Sequence, residues 1–211
     1  MLVTETMWKL APLVFLLSSC VLGPGNFRSS HSTDLAERNI RRIAILPADG
    51  MILGEKGKST ENGPNASLSN FLFSTMSALP DWQIVSDREV KEVTSHIGEG
   101  SEATRARKLG EFVYADAVIS GRVVRYRERV GGDFGVKSPA SVAFVLDLRD
   151  ARRGDVVWSA RFDETQRPPT ENIFGIGEFA QRGARWLSAE ELMREGVKKS
   201  VQQLHKVLYG S

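Results

Sequence analysis

Between Ala140 and Thr165, apolar and charged side chains alternate through two consecutive runs. Val142, Phe144, Leu146 and Leu148 share one parity of the run Ala140 to Asp150. Val156, Trp158, Ala160 and Phe162 share one parity of Asp155 to Thr165, beyond a turn at Arg152-Arg153-Gly154. A period of two places such residues on one side of an extended chain. The run Ala117 to Val130 continues the pattern with Val124 and Tyr126, while the opposite parity carries Arg125, Arg127, Asp147, Arg149, Arg161 and Asp163. The alternation predicts a three-stranded antiparallel meander with one dry face and one charged face.

The preceding half has a different rhythm. Arg41 to Pro47 is a short apolar run stopped by proline, which suits a buried strand. Leu68, Phe71, Leu72, Met76 and Leu79 recur at helical spacing within Ser67 to Leu79, and Trp82 to Val85 is a second short strand. Ser86 with Glu89 is a capping-box pattern opening a helix that turns Val90, Val93 and Ile97 inward. A further helix, Glu102 to Val113, leads to the strand beginning near Ala117. Strand, helix, strand, helices, strand implies two parallel crossovers. At the other end, Ser188 and Glu191 form a second capping box, with Leu187 and Leu192 as a hydrophobic staple, and the helix runs to about Leu208. The expected fold is mixed α/β: one domain over residues 40–211, with helices packed on a mixed sheet and a C-terminal helix.

The first nineteen residues read as an export signal: Lys9, an apolar run from Leu10 to Leu17, and small residues before Cys20. Met7-Trp8-Lys9 would start a cleaner signal, since Glu5 is out of character. Eight apolar positions interrupted by Pro12 fall far short of the ~20 that span a bilayer as a helix. Leu17-Ser18-Ser19-Cys20 resembles the lipobox of bacterial lipoproteins. That resemblance implies a diacylglycerol thioether on Cys20, cleavage before it and acylation of the new amine. Cys20 is the only cysteine, so no internal disulfide competes for it. With Val21 in place of an aspartate, the same resemblance implies outer-membrane, periplasm-facing anchoring. Residues 20–39, rich in Gly, Ser and charge, read as a tether that reaches roughly 60 Å at ~3.3 Å per residue.

Little else in the chain points to chemistry. Gly54-Glu55-Lys56-Gly57-Lys58-Ser59-Thr60 imitates a phosphate-binding loop, but the required first glycine falls on Ile52 and Gly63-Pro64 breaks the helix that should follow. No nucleotide is expected. The histidines His31, His96 and His205 have no ligand-spaced partner and read as surface residues rather than a metal site. No nucleophile elbow is present. Asp147, Asp150, Asp163 and Glu164 alternate with arginines, which favours cross-strand ion pairs over an acid/base pair. Twenty-eight basic residues oppose 26 acidic ones, a net charge of +2, which gives no electrostatic case for nucleic acid. Two surfaces remain for partners. One is the apolar, glycine-broken segment with Ile173, Phe174, Ile176 and Phe179, and the other is the charged row with Arg125, Arg127 and Arg149.

The lipobox, the Ile43-Ala44-Ile45-Leu46-Pro47 strand, Ala115-Asp116 before a strand ending in Ser120-Gly121, and Val156-Val157-Trp158 together resemble a known group. It is the superfamily of the curli channel (CsgG), PelC and the TolB N-terminal domain. The resemblance spans roughly Arg41 to Phe162. The segment Pro168 to Trp186 departs from it, and no long amphipathic hairpins suit a transmembrane barrel. The resemblance implies a non-enzymatic secretion or assembly accessory of the envelope that engages other envelope proteins or further copies of itself, with no cofactor beyond the lipid on Cys20. The alternatives are a cell-wall synthase activator of the LpoB kind and an envelope polymer hydrolase.

Overall fold

The computed structural model describes residues 26–47, 63–133, 135–167 and 185–210. Its strands in chain order are β1 (Phe27–His31), β2 (Arg42–Leu46), β3 (Gln83–Ile84), β4 (Ala117–Arg127), β5 (Val130–Gly131), β6 (Val136–Ser138), β7 (Ser141–Asp150) and β8 (Val156–Thr165). The helices are α1 (Pro64–Ser77), α2 (Asp87–Thr94), α3 (Glu102–Phe112) and α4 (Ala189–Tyr209). Six strands form one mixed sheet in the order β1-β8-β7-β4-β2-β3, and β5 and β6 make a separate small hairpin. β2 lies parallel to both β3 and β4, which gives the two crossovers; β4, β7 and β8 are the expected antiparallel meander.

β1 corrects the expected boundary of the tether. Phe27 to His31 pair antiparallel with Phe162 to Trp158, and a 3-10 turn at Leu35–Arg38 buries Leu35 completely. Arg38 ties that turn to the hairpin between β7 and β8, 2.8 Å from Asp150 and 2.9 Å from Asp34. The folded domain thus includes residues 26–39. An edge strand has only one neighbour, and four of the five β1 residues are exposed, so burial never imposed an apolar period on them.

One sheet face is dry throughout. α1 and α4 cover it, burying Leu68, Leu72 and Met76 from α1 and Leu192, Val197, Val201 and Leu204 from α4 against Val142, Phe144, Leu146 and Leu148. Phe144 and Phe162 stack across β7 and β8 with ring centroids 5.2 Å apart. α4 runs directly over that pair, and a Cβ at Gly196 would lie 2.7 Å from Phe162 Cδ1 and 2.9 Å from Phe144 Cε1. Trp158 is buried with them and donates from Nε1 to Gln203 Oε1 at 2.7 Å.

The parity expected for β4 and β8 needs correcting at their bulges. A register shift between Leu148 and Arg149 turns Val157 inward and leaves Val156 42% exposed. A second shift between Val123 and Arg125 puts Val123 in the core and Val124 at the irregularity. One extra residue reverses every side chain beyond it. On the opposite face, α2 and α3 cover only the end nearest β2, where Ala44, Leu46, Val90, Ala106, Leu109, Val118 and Ala151 form a smaller core.

The serine caps expected at Ser86 and Ser188 are realised, and Ser101 adds a third. Ser86, Ser101 and Ser188 accept from the backbone N–H three residues on, and Ser188 with Glu191 completes a reciprocal box. Glu89 does not reach back to its own cap; its carboxylate pairs with Arg42 at 3.2 Å. At the start of α4, Leu187 and Leu192 are both buried as a staple. The Glu128 carboxylate also accepts from Ala189 N at 3.1 Å, placing negative charge at the helix N-terminus.

Gly196→Ala is expected to destabilise the domain by about 2 kcal/mol, as overpacking does; the urea midpoint measures it, and an unchanged midpoint would place α4 farther from the aromatic stack. Glu191 provides a pH test. Hydrogen bonds from Arg185 and then from Ser188 hold its carboxyl at about 2. A depressed folded value stabilises above the ordinary glutamate range, and that stability is lost as pH falls from ~4.5 towards 2. Because the side chain is over a third exposed, we expect Glu191→Gln to cost only about 1 kcal/mol at pH 7. The two proteins should converge near pH 2 in pH-dependent thermal melts.

Candidate interaction surface

Beyond the reach of α2 and α3, no described helix covers the second sheet face over β1, β8, β7 and the far half of β4. Strand register lays its side chains in straight rows. Arg28 faces Arg161, Arg161 faces Val145, and Val145 faces Arg122. Neighbouring strands are ~4.8 Å apart, so these three arginines span ~14 Å across four strands. All three are exposed, with half-buried Val145 between them.

The next row is an ion-pair network. Arg125 donates to Ser141 Oγ at 2.7 Å and to Asp163 at 2.6 Å, while Arg161 reaches the other oxygen of Asp163 at 2.9 Å. Ala143 lies between Asp163 and Arg125 in register and is fully buried, so the arginine stem and the pair roof it over. Burial opposes ionisation of Asp163, but the hydrogen bonds from Arg161 and Arg125 outweigh it and hold the carboxyl below its ordinary range. On the far side of the arginine row, Asp147 accepts from Ser159 at 2.6 Å.

The candidate residues are scattered by this geometry. Arg125 and Arg127 lie on the open part of β4, Arg125 committed to Asp163 and Arg127 exposed at the strand end. Arg149 does not belong to the open surface. α3 covers that end of β7, leaving the Arg149 side chain 16% exposed, paired with Glu102 at 3.2 Å and bonded to the Gly154 carbonyl. Ile173, Phe174, Ile176, Phe179 and Cys20 lie outside the described residues, as does the glycine-rich loop at residues 54–60. Arg28 and Arg122 were not among the candidates. Arg28 stood in the supposed tether, and Arg122 joins the row only through four-strand register.

Of the three histidines, His205 departs from the expected surface position. His31 is on β1, and His96 is exposed, with Nδ1 2.7 Å from the Glu92 carbonyl. His205 is no surface residue: it is buried on α4, 3.2 Å from both the Pro80 carbonyl and Asp81, with Trp82 edge-on to its ring. Among the described residues no group of three His, Cys, Asp or Glu side chains converges as a metal site. Asp150 is a turn cap, accepting from the N–H groups of Arg152 and Arg153. The carboxylates expected to form ion pairs do so at Asp163, which Arg125 and Arg161 share.

Asp163→Asn should therefore cost stability. The contribution of Asp163 is present above the ordinary aspartate range and lost as pH falls through its depressed value. With more than a third of the side chain exposed, the expected loss is at most about 1 kcal/mol at pH 7. Matched denaturation curves at pH 7 and at successively lower pH should show the difference at pH 7 and its narrowing below the ordinary aspartate range.

No family model and no curated protein matches the chain. Solved structures do. A point variant of PelC from Paraburkholderia phytofirmans, a dodecamer, is 17% identical with a TM-score of 0.52, covering 85% of this chain and 98% of that chain. A lipoprotein from Neisseria meningitidis is 18% identical with a TM-score of 0.41, covering 67% and 96%. The LpoB C-terminal domain from Salmonella enterica is 11% identical with a TM-score of 0.42, covering 60% and 83%. The mixed sheet with its covering helices is thus a fold shared with PelC over nearly the whole of that chain.

Proposed function

We propose that this chain is a lipid-anchored, non-enzymatic lipoprotein of the bacterial envelope, acting as a homo-oligomeric accessory in export or assembly. The observation that carries the reading is the PelC likeness, which takes in 85% of this chain and 98% of a protein solved as a dodecamer. The lipobox pattern Leu17-Ser18-Ser19-Cys20 supports a covalent diacylglycerol and an N-acyl chain as the anchor. Several acyl chains on one residue hold durably, where a single chain is marginal. Val21 after the cysteine supports the outer membrane, facing the periplasm.

The carboxylates of the open face support a binding role over hydrolysis. Asp147 accepts from Ser159 and Asp163 from two arginines, and Asp163 is held low, whereas general-acid work needs a carboxyl raised towards neutrality.

The test is the Cys20→Ala variant expressed in a Gram-negative host with labelled palmitate. Wild type should take label and sediment with membranes. The variant should be unlabelled and keep its leader by mass spectrometry. Label in the variant, or a free thiol on an uncut wild-type chain, would overturn the anchor. Light scattering of the detergent-extracted protein should give one defined multi-subunit mass; a monomer at high concentration would overturn the oligomer.

A further inference from the structure

The row Arg28, Arg161 and Arg122 is costly for the domain by itself. Arg28 and Arg161 are directly opposite in an antiparallel pair, an arrangement in which like charges destabilise. Asp163, the carboxylate that pairs with Arg161, is shared with Arg125. Among the described residues neither Arg28 nor Arg122 has an ion-pair partner. A sheet edge that only needed solubility would alternate the two signs.

The row also lies at the point where the anchor-bearing segment joins the fold. Asn26, the first described residue, lines a shallow basin of about 390 Å³ with Arg28, Arg161 and Asp163. From the other side of the sheet, Lys199 on α4 donates to Asn26 Oδ1 at 3.3 Å. Three basic side chains, Arg28, Arg161 and Lys199, thus lie around or beside the exit, with Arg122 farther along the row, against Asp163, which the arginines already pair, and Glu164, which accepts from Asn26 Nδ2. Six residue steps separate Asn26 from Cys20, so a chain anchored there keeps Asn26 within roughly 20 Å of the lipid, at ~3.3 Å per step.

We propose that the Arg28–Arg161–Arg122 row, with Lys199 at its rim, is a docking surface for the anionic phospholipid headgroups of the membrane that carries the anchor. The short span brings this face to the headgroups, and headgroup phosphates supply the negative charge the row lacks. Arginine suits this task because its planar fork bonds phosphate oxygens in pairs. The inference rests on Cys20 being the anchor for its geometry, but the surface can be tested without the lipid.

Among the described residues the buried core runs from Leu35 to Leu208 with Phe27 packed against it, so the polypeptide from Val21 to Ser211, free of leader and acyl chains, is the probe protein. It should co-sediment with vesicles of phosphatidylcholine containing 30% phosphatidylglycerol, and not with phosphatidylcholine alone. Binding should fall steeply with salt, since screening shortens the reach of exposed charges. Each of Arg28→Gln, Arg161→Gln and Arg122→Gln should weaken it about fivefold, and the triple variant about a hundredfold. Arg28→Gln should also leave the melting temperature unchanged or raised, which separates lost binding from lost folding. Equal binding by wild type and the triple variant, or no binding to anionic vesicles at low salt, would overturn the proposal. So would a triple variant that loses self-association while keeping its vesicle affinity, since the face would then belong to a second copy. An unlipidated Cys20 with row-dependent vesicle binding would sink the anchor and leave the surface standing.

Discussion

The close approach of α4 to the Phe144–Phe162 stack is the contact on which the remaining architecture depends. Gly196 provides the space, since any Cβ there would enter the rings. With α4 seated, Trp158 and its bond to Gln203 close one end of the dry face, and the packing of α1 against α4 closes the other. The same seating aligns the N-terminus of α4 over Glu128 and the staple of Leu187 and Leu192. The small β5–β6 hairpin is held there too, through Arg129 to Asp133 and the Trp186 carbonyl. A helix standing even one methyl farther out would leave the largest side chains of the core without contacts on one side.

The other face is built on a different principle. α2 and α3 cover only the end near β2, where the small residues Ala44, Ala106 and Ala151 let helix and sheet approach. Past that end the strands must be soluble unaided, and they achieve it with arginines. Arg125 combines both roles: its stem covers Ala143, and its head joins Asp163 and Ser141. Arg149, one parity step from the same set by sequence, falls under α3 and becomes a packing residue with a single ion pair. Alternation identifies the charged face, but the path of the crossover helices decides which charges remain in water.

Much of the fold was legible because its signals are local. Ser86 and Ser188 announced helices that begin where expected, and the parity of Val142 to Leu148 placed β7 correctly. Failures occurred where the deciding interaction is distant in sequence. β1 is polar because it has one neighbour and an exposed surface, so nothing in Phe27 to His31 reports partners 127 positions away, as Trp158 is from His31, or 135, as Phe162 is from Phe27. Val156 and Val124 were misplaced by bulges, which leave no mark in a pattern of apolar residues. His205 looked like a surface residue, yet the loop after α1 brings Pro80, Asp81 and Trp82 against it. The candidate surface was legible only in part: its sign could be read, but Arg28 and Arg122 enter one row only through three successive strand pairings.

Including β1 in the domain also changes what the molecule can reach. A tether ending at Asn39 would let the folded body range roughly 60 Å from its lipid, whereas one ending at Asn26 confines it to roughly 20 Å. With Cys20 acylated as proposed, the diffusing volume shrinks with the cube of that length, by a factor of about 27, and the effective concentration of neighbouring anchored copies at the membrane rises. A body so confined meets partners at the bilayer surface and cannot search far from it. That confinement favours lateral association of anchored copies over capture of a remote enzyme, and it presents the open arginine face to the headgroups at little entropic cost.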